Sequence, residues 1–206
     1  MVDENYIALK PKNITHAEAA ALPMAGISAL QALMDYMSLN RGGKILIHGG
    51  TGGIGTFAIQ IAKYLGLHVT TTVNESSKQF VKTLGADESI NYKTQSFENL
   101  LRDYDAVLDT IGGETYLKSF KVLKKGGIIV SMLEEPNLKL MQEYEVDAVI
   151  EFTDATNERL LRLAELVENG IVKVYLAKTF PFEQTKQALE YLQYGHPKGK
   201  VVLVKS

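Results

Sequence analysis

Apolar and polar positions along this chain follow two rhythms, and the sharpest change from one to the other falls at residues 44–65. Ile45-Leu46-Ile47 is a continuous apolar run of strand type, and beyond it Ile54, Phe57, Ala58, Ile61, Ala62 and Leu65 recur at helical spacing. The same switch repeats downstream. His68-Val69-Thr70-Thr71-Thr72-Val73, Ser89-Ile90-Asn91-Tyr92, Asp105-Ala106-Val107-Leu108-Asp109 and Ile128-Ile129-Val130-Ser131 read as strands two to five. Helices are predicted between them, over 76–84, around 97–102 and over 114–123, with Gly66 and Gly85 as stops. Residues 146–152 supply a sixth strand, and 157–168 form an amphipathic helix closed by Gly170. Strands alternating with helices at this spacing predict right-handed crossovers, hence an α/β fold with a doubly wound parallel sheet of six strands and helices on both faces.

The flanks are plainer. Lys10-Pro11-Lys12-Asn13 reads as an extended arrival segment, and Thr15-His16-Ala17-Glu18 fits a capping box ahead of an alanine-rich helix. Pro23 should end or kink that helix, with helical periodicity resuming over 27–37. Toward the other end, 172–175 reads as a short strand, 182–192 as a helix and Val201-Val202-Leu203-Val204 as a terminal strand.

Between the first strand and its helix lies Gly50-Thr51-Gly52-Gly53-Ile54-Gly55, a G-x-G-x-x-G in the strand–turn–helix context that gives the motif meaning. Gly50 suits the tight turn, Gly52 leaves the backbone open to a pyrophosphate, and Gly55 lets helix and strand pack closely. The free N–H groups at the helix start face the anion. A glycine-rich turn with no ligand is the plainer account, but the context favours dinucleotide binding on a Rossmann-type sheet. Ligands of such sheets bind at the carboxyl ends of strands. Thr110, Ile111 and Gly112 after strand four, and Met132 and Leu133 after strand five, should therefore line the ribose and nicotinamide.

Composition narrows the chemistry. The chain has 206 residues, 46% hydrophobic and 22% charged, with a net charge of −2, so no basic footprint for nucleic acid is present. No apolar run reaches the ~18 residues that a spanning helix needs, and no signal-peptide pattern opens the sequence; a cytoplasmic protein without membrane contact is the expectation. Cysteine is absent, which removes disulfides, a thiol nucleophile and cysteine-based zinc sites. His16, His48, His68 and His196 are scattered without ligand spacing, so no zinc is expected, and His16 is most simply a solvated first-turn residue. No nucleophile–base pair or paired carboxylates stand out, and hydride transfer requires none, since the nicotinamide carries that chemistry.

Gly49-Gly50-Thr51-Gly52-Gly53-Ile54-Gly55 with Ala58-Ile59-Gln60-Ile61-Ala62-Lys63 closely resembles the medium-chain dehydrogenase/reductases. Leu84-Gly85-Ala86-Asp87, Ile90-Asn91-Tyr92, Asp109-Thr110-Ile111-Gly112-Gly113 and Gly199-Lys200-Val201-Val202-Leu203 extend the resemblance over essentially the whole chain. It is nearest the zinc-independent quinone oxidoreductases related to zeta-crystallin. The resemblance implies an NADPH-dependent oxidoreductase acting on quinones, enones or similar conjugated carbonyls. It also implies that residues 1–206 are the dinucleotide-binding domain with a C-terminal return segment, about 196–206, that normally joins an N-terminal GroES-like substrate domain. That domain is absent from this sequence. The chain alone is then expected to be inactive, with its terminal strand exposed, disordered or re-paired. The cofactor domain of a zinc-type alcohol dehydrogenase and a non-catalytic nucleotide-responsive or interaction protein are the alternatives.

The second strand decides the nicotinamide cofactor. NAD-specific folds end it in an acid that accepts from the ribose hydroxyls, whereas here it ends Thr72-Val73-Asn74. Asn74, Ser76, Ser77 and the cation Lys78 suit a 2′-phosphate. The resemblance adds a basic residue at Lys78 and a tyrosine at Tyr92 to that phosphate site, favouring NADP(H). NAD(H) remains the alternative through Glu75, should the strand run longer. Lys78 as a solvated helix lysine and Tyr92 as a sheet-edge aromatic are the bland accounts; the resemblance also brings a basic residue from His196-Pro197-Lys198-Gly199-Lys200 near that phosphate, with solvent-facing loop charges as the plainer account. Finally, Val146, Ala148, Ile150 and Phe152 share one face of the sixth strand, while Asp147 and Glu151 lie on the other. As an edge, this strand is expected to pair across a two-fold axis into a homodimer, as the resembling reductases do, unless the two acids guard it.

Overall fold

The computed structural model describes residues 3–205. Six parallel strands form the sheet: β1 (Lys44–Ile47), β2 (His68–Val73), β3 (Glu88–Asn91), β4 (Tyr104–Asp109), β5 (Leu123–Ser131) and β6 (Asp147–Ile150). Their order is β3-β2-β1-β4-β5-β6, so the chain reverses direction across the sheet between β1 and β4. That doubly wound order matches the expectation from strand–helix alternation.

The helices are α1 (His16–Ala20), α2 (Pro23–Gln31), α3 (Gly53–Tyr64), α4 (Lys78–Thr83), α5 (Phe97–Leu100), α6 (Gly113–Ser119), α7 (Leu138–Tyr144), α8 (Asn157–Glu168) and α9 (Thr185–Tyr194). Two cores sandwich the sheet. On one face Ile45, Ile47, Ala106, Leu108 and Val130 meet residues of α2, α3, α4 and α8. On the other, Leu46, Val107 and Ile129 meet Phe97, Tyr116, Phe120 and Val146 from the segments of α5, α6 and α7. Burial on both faces explains why these strands read as near-continuous apolar runs.

Several boundaries depart from the sequence pattern for identifiable reasons. Pro23 opens α2 at its first position, where its missing N–H costs nothing, and α2 passes into a π-helical stretch over Ala32–Met37. The expected strand at 172–175 does not form. Gln60 of α3 takes up its backbone instead: Lys173 N donates to Gln60 Oε1 at 2.8 Å, and Gln60 Nε2 donates to the Lys173 carbonyl at 3.0 Å. The strand lies further on, as β7 (Leu176–Pro181), paired in parallel with β8 (Lys200–Val204) in a separate two-stranded sheet. The terminal strand is thus re-paired within this chain. β6 is shorter than expected. It sits at the sheet edge as predicted, but Glu151 does not face solvent as a guard; it is buried, while Phe152 is 72% exposed.

Candidate functional site

All strands of the main sheet run in parallel, so their carboxyl ends share one rim, and the sequence-selected residues collect there. β1 leaves the sheet through His48 and turns at Gly49, whose φ of 70° is left-handed. A Cβ on Gly49 would lie 2.7 Å from Thr110 Oγ1, and Thr110 Oγ1 donates to the His48 carbonyl at 2.9 Å. The loops after β1 and β4 therefore touch where the strand order reverses. Gly49, not Gly50, supplies the turn. Gly50 answers to β2, since a Cβ there would fall 2.1 Å from Thr71 Oγ1.

Gly55 behaves as the motif requires: its Cβ would meet the Gly49 carbonyl oxygen at 2.3 Å and Gly50 Cα at 2.7 Å. Gly52 is different, with only the Gly49 carbonyl at 3.3 Å, so its outer side is open. Gly52 also caps α3 without any side-chain acceptor, leaving the positive end of a twelve-residue helix to that opening. The C-terminal segment clasps the turn. Gly199 N donates to the Thr51 carbonyl at 2.8 Å, and the stem of Lys200 crosses Gly53, its Cδ 2.6 Å from the position of a Cβ there.

Beneath the turn His48 is fully buried, its Nδ1 3.1 Å from Thr72 Oγ1 and its Nε2 2.9 Å from Ser119 Oγ. Burial drives its pKa down to about 3, so it is a neutral packing group with satisfied nitrogens. It underlies a cleft lined by Thr72, Tyr92, Ser96, Phe97 and Ile111. Tyr92, directly after β3, is 51% exposed.

At the end of β2, Ser76 Oγ donates to Asn74 Oδ1 at 3.0 Å. The strand stops at Val73, as the sequence indicated, so Glu75 is not its terminal acid. Glu75 accepts from Lys78 Nζ at 2.9 Å and from Asn91 Nδ2 at 3.0 Å, and these bonds, Lys78's first, hold its carboxyl below the usual range. Lys78 therefore stands at the corner already paired. A second cation joins it: Lys198 Nζ donates to the Ser76 carbonyl at 3.2 Å.

Asp109 ties the opposite half of the rim together. It is fully buried; its Oδ1 accepts from Ile111 N at 3.1 Å and Gly112 N at 3.0 Å, and its Oδ2 accepts from Ser131 Oγ at 2.7 Å. Ser131 Oγ in turn accepts from Leu133 N at 3.1 Å. The loops after β4 and β5 are thus cross-linked, presenting Ile111 and Leu133 more than half exposed, whereas Met132 packs back toward the core. The segment 196–200 was expected near the phosphate corner, but nothing in the sequence marked Asp109 or Glu151 as part of this rim, since each role needs a partner distant in the chain.

Residues 84–203 match the family described as zinc-binding dehydrogenase. The chain belongs to that family. Within it, and within the medium-chain dehydrogenase/reductases, the chain is quinone-oxidoreductase-like. It is 32% identical over 98% of its length to the mitochondrial NAD(P)H oxidoreductase of Bos taurus, of which it covers 59%. It is 34% identical over 98% of its length to the chloroplastic NADPH-dependent alkenal/one oxidoreductase of Arabidopsis thaliana, covering 50% of that protein. The quinone oxidoreductase of Coxiella burnetii superposes with a TM-score of 0.88 at 32% identity, over 95% of this chain and 63% of that one. The chain therefore spans little more than half the length of the curated relatives it matches. Despite the family's description, its donor set does not suit zinc: cysteine is absent, and among the described residues no three His, Asp or Glu side chains converge.

Proposed function

We propose that this chain is the NADP(H)-binding part of an oxidoreductase that reduces quinones, enones or similar conjugated carbonyls. The observation that carries the reading is the open glycine turn at the reversal of strand order, with Gly52 unobstructed and the start of α3 uncapped. A bound nicotinamide supplies the hydride; the chain's residues bind and orient it. Gly50, Thr51, Gly52, Gly53, Ile54 and Gly55 receive the pyrophosphate, with Lys200 across the helix start. Thr110, Ile111, Gly112 and Leu133, held by Asp109, face the nicotinamide half and exclude water from it, while Met132 packs behind them against the core. The printed names of the Arabidopsis and Coxiella relatives, an alkenal/one oxidoreductase and a quinone oxidoreductase, support the acceptor class.

NADP(H) is favoured over NAD(H) because Asn74, Ser76, Lys78, Lys198 and Tyr92 gather where β2 and β3 end, while Glu75 is engaged by Lys78 and Asn91. The same corner allows a test. Lys198→Ala and Lys78→Ala should each weaken NADPH about ten-fold, the loss of one charge-assisted phosphate contact, and leave NADH unchanged. Equal affinity of the parent chain for both nucleotides, or equal losses for both in the variants, would overturn the choice.

The partners that complete this reading are a small-molecule acceptor in the full-length proteins and a second copy of the chain paired along β6. Neither nucleic acid nor membrane enters it. No helix among the described residues is long and apolar enough to cross a membrane. The relatives' names place one in mitochondria and one in chloroplasts, so they lend no support to the cytoplasmic expectation.

A further inference from the structure

Glu151 lies on the same rim and has no part in the reading above. It is 4% exposed, and neither of its carboxyl oxygens has a hydrogen-bond partner. Its N–H donates to the carbonyl of Ser131 at 2.8 Å, level with the end of β5 and directly before Met132. Val149 is in register with Val130, whose side chain faces the α2 and α8 layer, and Glu151, two residues on, shares that face.

Two hydroxyls, those of Thr153 and Ser28, lie between the Glu151 segment and the helix that adjoins the glycine turn. Thr153 Oγ1 is 2.6 Å from Ser28 Oγ of α2, and Ser28 Oγ also reaches the Met24 carbonyl at 2.8 Å. The next residue, Ala25, adjoins the start of α3, its Cβ 3.7 Å from where a Cβ on Gly53 would sit. Either hydroxyl of the pair can donate, so the pair can serve Glu151 as donor or acceptor. The one charged group whose field favours an ionised Glu151 is Arg159 of α8, itself held by Asp35 at 2.9 Å and Asp154 at 3.2 Å; α2 presents neutral Ser28 and Gln31. Burial pushes the Glu151 carboxyl up to about 7 despite Thr153 and Arg159, so both of its forms are accessible in ordinary buffers.

We infer that Glu151 lets this chain distinguish oxidised from reduced cofactor by the charge of the nicotinamide ring. Ionised, it favours the cationic oxidised ring; neutral, it treats the two forms alike. This rests on the dinucleotide reading of the rim. Because both nucleotides carry the same phosphates, the ratio of their affinities isolates the ring from every phosphate titration.

Calorimetric titration of the 206-residue chain with NADP+ and with NADPH, at pH 6 and pH 8, tests the inference. The ratio should shift toward NADP+ by about five-fold on raising the pH, and Glu151→Gln should flatten it. A ratio indifferent to pH in the parent chain, or an unchanged shift in Glu151→Gln, would overturn it. Should that variant fail to fold, buffers of different ionisation enthalpy read the same linkage in the parent chain at pH 7. More protons must then be released with NADP+ than with NADPH, and equal release contradicts the inference. If neither nucleotide binds, the reading of the rim falls and the inference with it; if both bind without the pH-dependent difference, only the inference falls.

Discussion

Gly52 and Gly55 occupy one turn and answer to different neighbours. A methyl at Gly55 would press on the backbone of Gly49 and Gly50 at 2.3–2.9 Å, where nothing can swing aside, whereas a methyl at Gly52 would meet only the Gly49 carbonyl oxygen, at 3.3 Å. Gly55→Ala should therefore destabilise the fold itself by an overpacking cost of about 1–3 kcal/mol, seen as a lower denaturation midpoint. Gly52→Ala should keep the parent midpoint and lose dinucleotide affinity, a contrast that thermal melts with and without NADPH will report. Two buried ionisable residues shape stability against pH in opposite senses. The folded-state pKa of Glu151, about 7, lies above its usual 4.5, so its cost is absent below 4.5 and grows as the pH rises toward 7. By pH 8 that cost is on the order of 3 kcal/mol, and Glu151→Gln should be more stable than the parent there and equal to it near pH 4. His48, lowered from 6.5 to about 3, gives stability that is complete above 6.5 and lost as the pH falls toward 3. Urea denaturation across pH 4 to 8 should accordingly show a maximum between these limits in the parent chain.

Among the elements, those with a local signature were legible in the sequence. The capping box is one: Glu18 N donates to Thr15 Oγ1 at 3.2 Å, and Thr15 N to Glu18 Oε2 at 2.8 Å. β1 to β5 were legible because each is an apolar or β-branched run bounded by turn residues. β7 was not, because Lys178 and Thr179 are exposed on a two-stranded ribbon and break its alternation, while the more apolar stretch before it is held by Gln60. β6 shows what an edge permits. Since Glu151 N bonds toward β5, the alternation of a ladder turns Val149 N–H inward as well and those of Ala148 and Ile150 outward. If two copies pair along this edge, Ile150→Pro should convert a dimer to a monomer in light scattering at micromolar concentration while leaving the β5–β6 ladder intact. A parent chain of monomer mass at every concentration would dismiss the interface.

For the whole molecule, the strand order and the meetings it creates were beyond local pattern. Sequence spacing implied a doubly wound sheet and placed Gly52, Asn74, Thr110 and Leu133 at strand ends. It did not reveal that Lys198 would reach Ser76, that Lys200 would cross Gly53, or that α2 and α8 would cover Glu151, because each depends on distant segments converging. Those convergences make the rim a single surface built from the glycine turn, three later loops and the C-terminal strand. The most direct test of that surface is an amide NMR titration of the chain with NADPH. Saturable shifts are expected at Gly52, Gly53, Ile54 and Gly55, accompanied by Asn74 to Lys78, Thr110 to Gly112 and Gly199. Shifts that avoid the glycine turn, or none up to millimolar NADPH, would contradict the reading of the rim.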